Sequence, residues 1–161
     1  MKLPYHIAIE GTIGVGKSSL AQMLGERLQA NLILEEFENN PFLVDFYNNP
    51  ERFAFQTQLF FLLSRYRQQQ ELHQTDLFTK TIITDYMFIK DRLFAALNLN
   101  DKEMSLYNSV SMILEKNVTI PDMVIFLQSD TDRLMHNITK RGRYYEKNID
   151  WKYIFSMHKL I

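Results

Sequence analysis

The sequence predicts an α/β fold, a parallel sheet of four strands with helices on both faces. Two observations carry that reading. Short apolar runs alternate along the chain with longer segments of helical spacing, and each run is apolar throughout rather than every second residue. Strands of that kind are covered on both faces, which is the environment of a parallel sheet. The second observation is the stretch EGTIGVGKSSL, residues 10–20, which places three of the chain's five glycines where the first apolar run ends.

The first strand is YHIAIE, Tyr5 to Glu10. Helical spacing follows from Lys17 to Gln29, with Leu20, Met23, Leu24 and Leu28 on one side. NLILEE, residues 31–36, is a second strand that closes on Glu35 and Glu36. Two NNP tripeptides, at Asn39–Pro41 and Asn48–Pro50, punctuate turns and start helices. No proline or glycine interrupts Glu51 to about Gln74, which predicts a long helix. TIITD, ending at Asp85, is the third strand. Helices are expected over Phe88–Leu97 and Lys102–Lys116. PDMVIFLQ, residues 121–128, is expected as a fourth buried strand. A short helix from Thr131 to Thr139, the basic segment KRGRYYEKN and a last helix from about Asp150 complete the chain. The 161 residues form one expected domain, with a lid at about 140–148.

Gly11, Gly16, Lys17 and Ser18 fill the pattern G-x-x-x-x-G-K-[ST], between a strand and a helix. Glycines let the backbone curl so that its N–H groups converge on phosphate oxygens, and the helix N-terminus adds partial positive charge. The whole loop is therefore assigned to the phosphates of ATP: Gly11, Thr12, Ile13, Gly14, Val15, Gly16, Lys17, Ser18 and Ser19. Lys17 suits the outer phosphates, and the Ser18 hydroxyl suits Mg²⁺. The loop alone specifies a nucleotide site and leaves the reaction open.

In a parallel sheet the strand ends face one crevice. Glu35 and Glu36, Asp85, and the Gln128-Ser129-Asp130 segment all arrive there. Carboxylates beside a phosphate loop hold Mg²⁺ or take a proton from an attacking hydroxyl. On the long helix, Gln58 and Arg65 lie seven residues apart among Phe53, Phe55, Leu59, Phe60, Phe61, Leu62 and Leu63. They project from one face two turns apart, and polar groups in such surroundings need partners. An ordinary intrahelical or interhelical hydrogen bond and the edge of a flat heterocycle both meet that need. Lys140, Arg141, Arg143 and Lys147 surround Gly142, which suits a solvated loop or a lid that brings guanidiniums onto a phosphoryl group.

Taken in order, these segments resemble the deoxyribonucleoside kinases, closest to the bacterial purine (deoxyguanosine and deoxyadenosine) type, from Ile7 to about Asp150. IAIEGTIGVGKSS is similar to that family's phosphate loop, and EEFENNPF stands at its catalytic-base segment. FYNNPERFAFQTQLFFLLSR is similar to its substrate helix, DYMFIKDRLFA to the segment after its third strand, and KRGRYYE to its arginine-rich lid. The resemblance implies a P-loop kinase that phosphorylates the 5′-hydroxyl of a deoxyribonucleoside with ATP and Mg²⁺. It implies Glu35, rather than Glu36, as the base, Tyr47 at the sugar 3′-hydroxyl, and Gln58, Arg65 and Asp91 as readers of the nucleobase. Asp85 would support the substrate and the metal with Ser18. Arg141 and Arg143 would meet phosphates, and Glu146 the sugar. Three departures stand out. Tyr86 follows Asp85 where many relatives have arginine, Asn137 replaces a lid-helix arginine, and relatives continue beyond this C-terminus with a fifth strand and an adenine-holding loop. The chain is thus expected to be a fragment or to lack that strand.

Composition excludes other classes. There are no cysteines, so no disulfide frame and no thiolate site. Net charge is −1, which gives no global reason to bind nucleic acid or a membrane surface. No apolar run is long enough for a signal peptide, and a cytoplasmic protein is expected. A guanine-nucleotide switch would carry N-K-x-D, and the sequence has none. A nucleoside monophosphate kinase would share loop and lid but needs cations for the substrate's phosphate, for which Arg52 and Arg65 are the candidates. A catalytically weak nucleotide-binding subunit is a third reading. The aromatic-rich long helix suggests a helix-bundle interface for a homodimer or heterodimer, or burial within one chain.

Overall fold

The computed structural model describes residues 5–72 and 80–161. Strand β1 (Tyr5–Gly11) lies in the middle of a four-stranded parallel sheet with β2 (Asn31–Ile33), β3 (Thr81–Thr84) and β4 (Met123–Leu127), in the order β2-β3-β1-β4. Ile7 stands opposite Ile83 on one side and Met123 on the other. The side-chain period of two then sorts the sheet's apolar groups to two faces. Ile7, Ile9 and Ile83 pack against α1 (Lys17–Leu28) through Ala21, Leu20 and Leu24. Ile82 and Ile33 turn the other way, onto Leu72 of α3 (Pro50–Leu72). Helices therefore cover both faces, as the unbroken apolar runs imply.

The remaining helices are α2 (Leu43–Asn48), α4 (Asp91–Asn98), α5 (Asp101–Glu115), α6 (Thr131–Arg141) and α7 (Trp151–Leu160). Helix α3 is central: Leu62 packs with Phe88, Ala95 and Tyr107 in one apolar cluster, while Ala54 joins Leu43, Phe46 and Tyr145 in another. Leu134, Ile138, Ile154 and Met157 join α6 to α7. Starts are capped where the sequence offers a cap. Asn100 and Glu103 form a reciprocal capping box on α5, and Asp130 and Asp150 cap α6 and α7.

The structure corrects several expectations. The fourth strand is not buried: β4 forms the sheet edge, and Met123, Val124 and Phe126 are 46, 46 and 43% exposed. Apolar composition cannot distinguish an edge strand from a central one. The second strand ends at Ile33, so Leu34, Glu35 and Glu36 form an extension beyond it. The segment from Phe88 opens with a 3-10 turn, Phe88–Lys90, before α4. The basic segment is only partly loop: Arg141 belongs to α6, Gly142 caps it at φ +64°, and Tyr144–Glu146 is another 3-10 turn. Asp130 stays out of the crevice because its carboxylate accepts the Arg133 N–H. The expected end of the long helix at Gln74 lies outside the described residues.

Candidate active site

The loop from Gly11 to Ser19 leaves β1 and enters α1 with no room for a side chain at Gly11 or Gly14, while Gly16 has open space and is set apart by its φ of +104°. A Cβ at Gly11 would lie 2.5 Å from the Leu127 carbonyl oxygen. One at Gly14, where φ is +85°, would lie 2.9 Å from the Leu134 carbonyl and from Ile138. The loop is thus pressed against β4 on one side and α6 on the other. Asn137 of α6 donates to the Gly14 carbonyl at 2.8 Å. Lys17 Nζ donates to the carbonyls of Gly11 and Thr12 at 2.9 and 3.3 Å. Burial pulls the Lys17 ammonium below the usual lysine range, and Glu10 and Glu35 oppose that pull.

Two strand tips converge on this loop. Asp85, directly after β3, accepts the Ser18 hydroxyl on Oδ2 and the Glu35 N–H at 2.7 Å on Oδ1. Glu35 is buried and Glu36 is exposed, where it bonds Asn39. Burial raises the proton affinity of Glu35, and Arg65 and Lys17 counteract it. Among the described residues no group of three His, Cys, Asp or Glu side chains could hold a metal. Ser18 and Asp85 supply two hard oxygens beside the loop, which fits Mg²⁺, an ion that takes few protein ligands and completes its shell from phosphates and water.

Across the cleft, Arg65 of α3 reaches two carboxylates. Its guanidinium pairs with Glu35 through one terminal nitrogen and with Asp91 through the other. Asp91 also accepts the Tyr107 hydroxyl at 2.9 Å. Gln58 is buried on the same helix, and its Oε1 has no hydrogen-bond partner among the described residues. Gln56, two residues earlier on the helix, is exposed. One cleft is lined by Lys17, Glu35, Tyr47, Gln58, Arg65 and Asp91 together.

A second cleft shares Lys17 and Tyr47 with the first and runs along the phosphate loop past Ser18 and Ser19 to Arg141, Arg143 and Glu146. Here Arg141 makes a two-pronged pair with Glu146, and Arg143 lies 3.8 Å from the same carboxylate. The Arg143 guanidinium also sits over the rings of Phe37 and Tyr145 at 5.6 and 5.9 Å. Most site residues expected from sequence line one of the two clefts; Thr12 and Asp85 bond to lining residues, and Val15 packs instead against the Leu134–Ile138 cluster.

Sequence reasoning missed the walls. Phe37, Phe61, Tyr86 and Tyr153 line the first cleft, with Phe94 and Met157. Tyr86 faces Arg65 with its ring 6.0 Å from the guanidinium carbon. Its position directly after Asp85, noted only as an absent arginine, was the available signal.

A parallel sheet whose first strand feeds a phosphate loop, with a carboxylate and a basic turn at the same edge, defines a phosphotransferase of the P-loop kinase class. The deoxynucleoside kinase family model matches residues 7–160, and the chain belongs to that family. It is 36% identical over 151 residues to the deoxyguanosine kinase of Bacillus subtilis, covering 92% of this chain and 72% of that protein. It is 31% identical over 160 residues to the deoxyadenosine/deoxycytidine kinase of the same organism, covering 94% and 72%. Among solved structures, the deoxyadenosine kinase from M. mycoides with bound dATP superimposes with a TM-score of 0.84 at 26% identity, covering 97% of this chain and 81% of that one. No helix among the described residues is long and apolar enough to cross a membrane.

Proposed function

We propose that the protein transfers the γ-phosphoryl group of ATP to the 5′-hydroxyl of a purine deoxyribonucleoside. The observation that carries this reading is the single cleft in which the phosphate-loop lysine, a buried glutamate and the Gln58–Arg65–Asp91 set meet. In the reaction the 5′-oxygen attacks the γ-phosphorus, the bond to the bridging β,γ oxygen breaks, and Glu35 takes the hydroxyl proton. Burial makes Glu35 a stronger base than an exposed carboxylate, which suits the task. The loop N–H groups and Lys17 hold the triphosphate. Arg141 and Arg143, on the 140–148 lid, offset charge on the transferring oxygens. Tyr47 and Glu146 position the sugar. Gln58, Arg65 and Asp91 read the base between aromatic walls. Ser18 and Asp85 would hold Mg²⁺, which supplies charge neutralisation at the phosphates.

A substrate that already carried a phosphate would need a free cation in the cleft. Arg65 is committed to two carboxylates, and Arg52 is exposed and lies over Phe53. This favours the nucleoside over the monophosphate as acceptor. The test is incubation with Mg·ATP and each of the four deoxyribonucleosides and their monophosphates. Formation of a purine 5′-monophosphate is expected. Turnover of monophosphates alone refutes the reading.

We also place the dimer face on α5 rather than on the aromatic helix α3, whose Leu62 and Ala54 are buried within the chain. Leu106, Met112 and Ile113 are exposed apolar residues of α5, and Ile89 and Leu93 are exposed as well. A second copy packing α5 on α5 would cover the α5 residues in a helix bundle. The double substitution Met112→Lys, Ile113→Lys should convert a dimer to monomer in sedimentation velocity while leaving the fold intact by circular dichroism. A wild-type monomer at high concentration rules this face out.

A further inference from the structure

Beneath the phosphate loop lies a buried ion pair that the proposed mechanism leaves unused. Glu10 is the penultimate residue of β1, and Lys90 ends the turn before α4. Their side chains are 6 and 8% exposed and pair through Oε2 and Nζ. Glu10 also accepts the Met87 N–H at 2.7 Å and the Gly11 N–H at 3.0 Å. Lys90 donates in addition to the Gly11 carbonyl at 3.1 Å, with the rings of Phe94 and Phe126 at 5.5 and 5.8 Å. The N–H and C=O of Gly11 are thus both held by this pair.

The Gly11 carbonyl has a second donor, Lys17 Nζ at 2.9 Å. A carbonyl oxygen has room for two donors. When Lys17 reaches for phosphate oxygens it is drawn off this carbonyl, and Lys90 remains. Glu10 balances the Lys90 charge, so the pair can hold the backbone without competing for the anion. Lys90 also adjoins Asp91, so one peptide bond separates the grip on the loop from the carboxylate that pairs Arg65 across the cleft.

We propose that Lys90, held by Glu10, is a positioning residue for phosphoryl transfer, keeping the first carbonyl of the phosphate loop in place while Lys17 turns to the triphosphate. The inference rests on the reading that this loop holds a nucleoside triphosphate.

Lys90→Met strands a buried carboxylate and can destabilise the fold, so the double variant Glu10→Gln, Lys90→Met, which removes both charges, decides the matter. Urea midpoint, affinity for a non-hydrolysable ATP analogue with Mg²⁺, deoxynucleoside KM and kcat are measured on each. In the double variant the urea midpoint should recover towards wild type, while analogue affinity and kcat each fall about tenfold or more and the nucleoside KM moves less than about twofold. Lys90→Arg should restore most of the analogue affinity. A double variant with wild-type analogue affinity and kcat reduces the pair to a structural contact and overturns the proposal. So does a wild-type chain that does not bind the analogue. A wild-type chain that binds the analogue but phosphorylates no deoxyribonucleoside ends the kinase reading alone, and Lys90 is then judged on analogue binding.

Discussion

Replacing Glu35 by Gln should lower kcat by about two to four orders of magnitude, the usual range for removing a general base. Affinity for the deoxyribonucleoside should be largely kept. Gln is nearly the same size, and its remaining oxygen can still accept from Arg65, which pairs with Glu35 in the native site. The Asp85 bond is made to the Glu35 backbone N–H and does not depend on the side chain. Single-turnover kinetics with isothermal titration of the nucleoside separates the two effects. Turnover near wild type would remove Glu35 from the role of base.

Arg65 should give the second large effect, of a different kind. Arg65→Met leaves the carboxylates of Glu35 and Asp91 buried without their guanidinium, and breaking such an arrangement costs about 3–5 kcal/mol of stability. Loss of one partner of a buried, hydrogen-bonded charge pair should also lower kcat/KM by about two to three orders of magnitude. Arg65→Lys keeps the charge but not the planar fork that reaches two carboxylates, so it should fold better than Arg65→Met and still lose base discrimination. Relative kcat/KM for the four deoxyribonucleosides is the measurement. An unchanged order of preference would mean that α3 does not read the base.

The parts of the site that could be read from the chain were those whose geometry is local. A phosphate loop is a contiguous motif, and the seven-residue offset of Gln58 and Arg65 is a helical fact that needs no tertiary information. Asp85 was visible because a parallel sheet brings strand ends together wherever the strands lie in sequence. What could not be read were the choices made by packing. Aromatic residues look alike in sequence whether they fill a core or line a cleft, so Phe37, Phe61 and Tyr153 gave no signal. Asp130 resembled the other strand-end carboxylates until its role as a helix cap was seen. The exposure of β4 depends on its place in the strand order, which no pattern within MVIFL encodes. The pairing of one guanidinium with two carboxylates 30 and 26 residues away along the chain is likewise a product of the assembled fold.

The contact of Gly14 with α6 has a mechanical consequence. With Asn137 bonded to the loop and Leu134 and Ile138 wedged against it, α6 and the anion cradle are held together as far as the left-handed cap at Gly142. Arg141 stands on the helix side of Gly142 and Arg143 beyond it. The two arginines should therefore differ in how far they travel when nucleotide arrives, although they are only two positions apart.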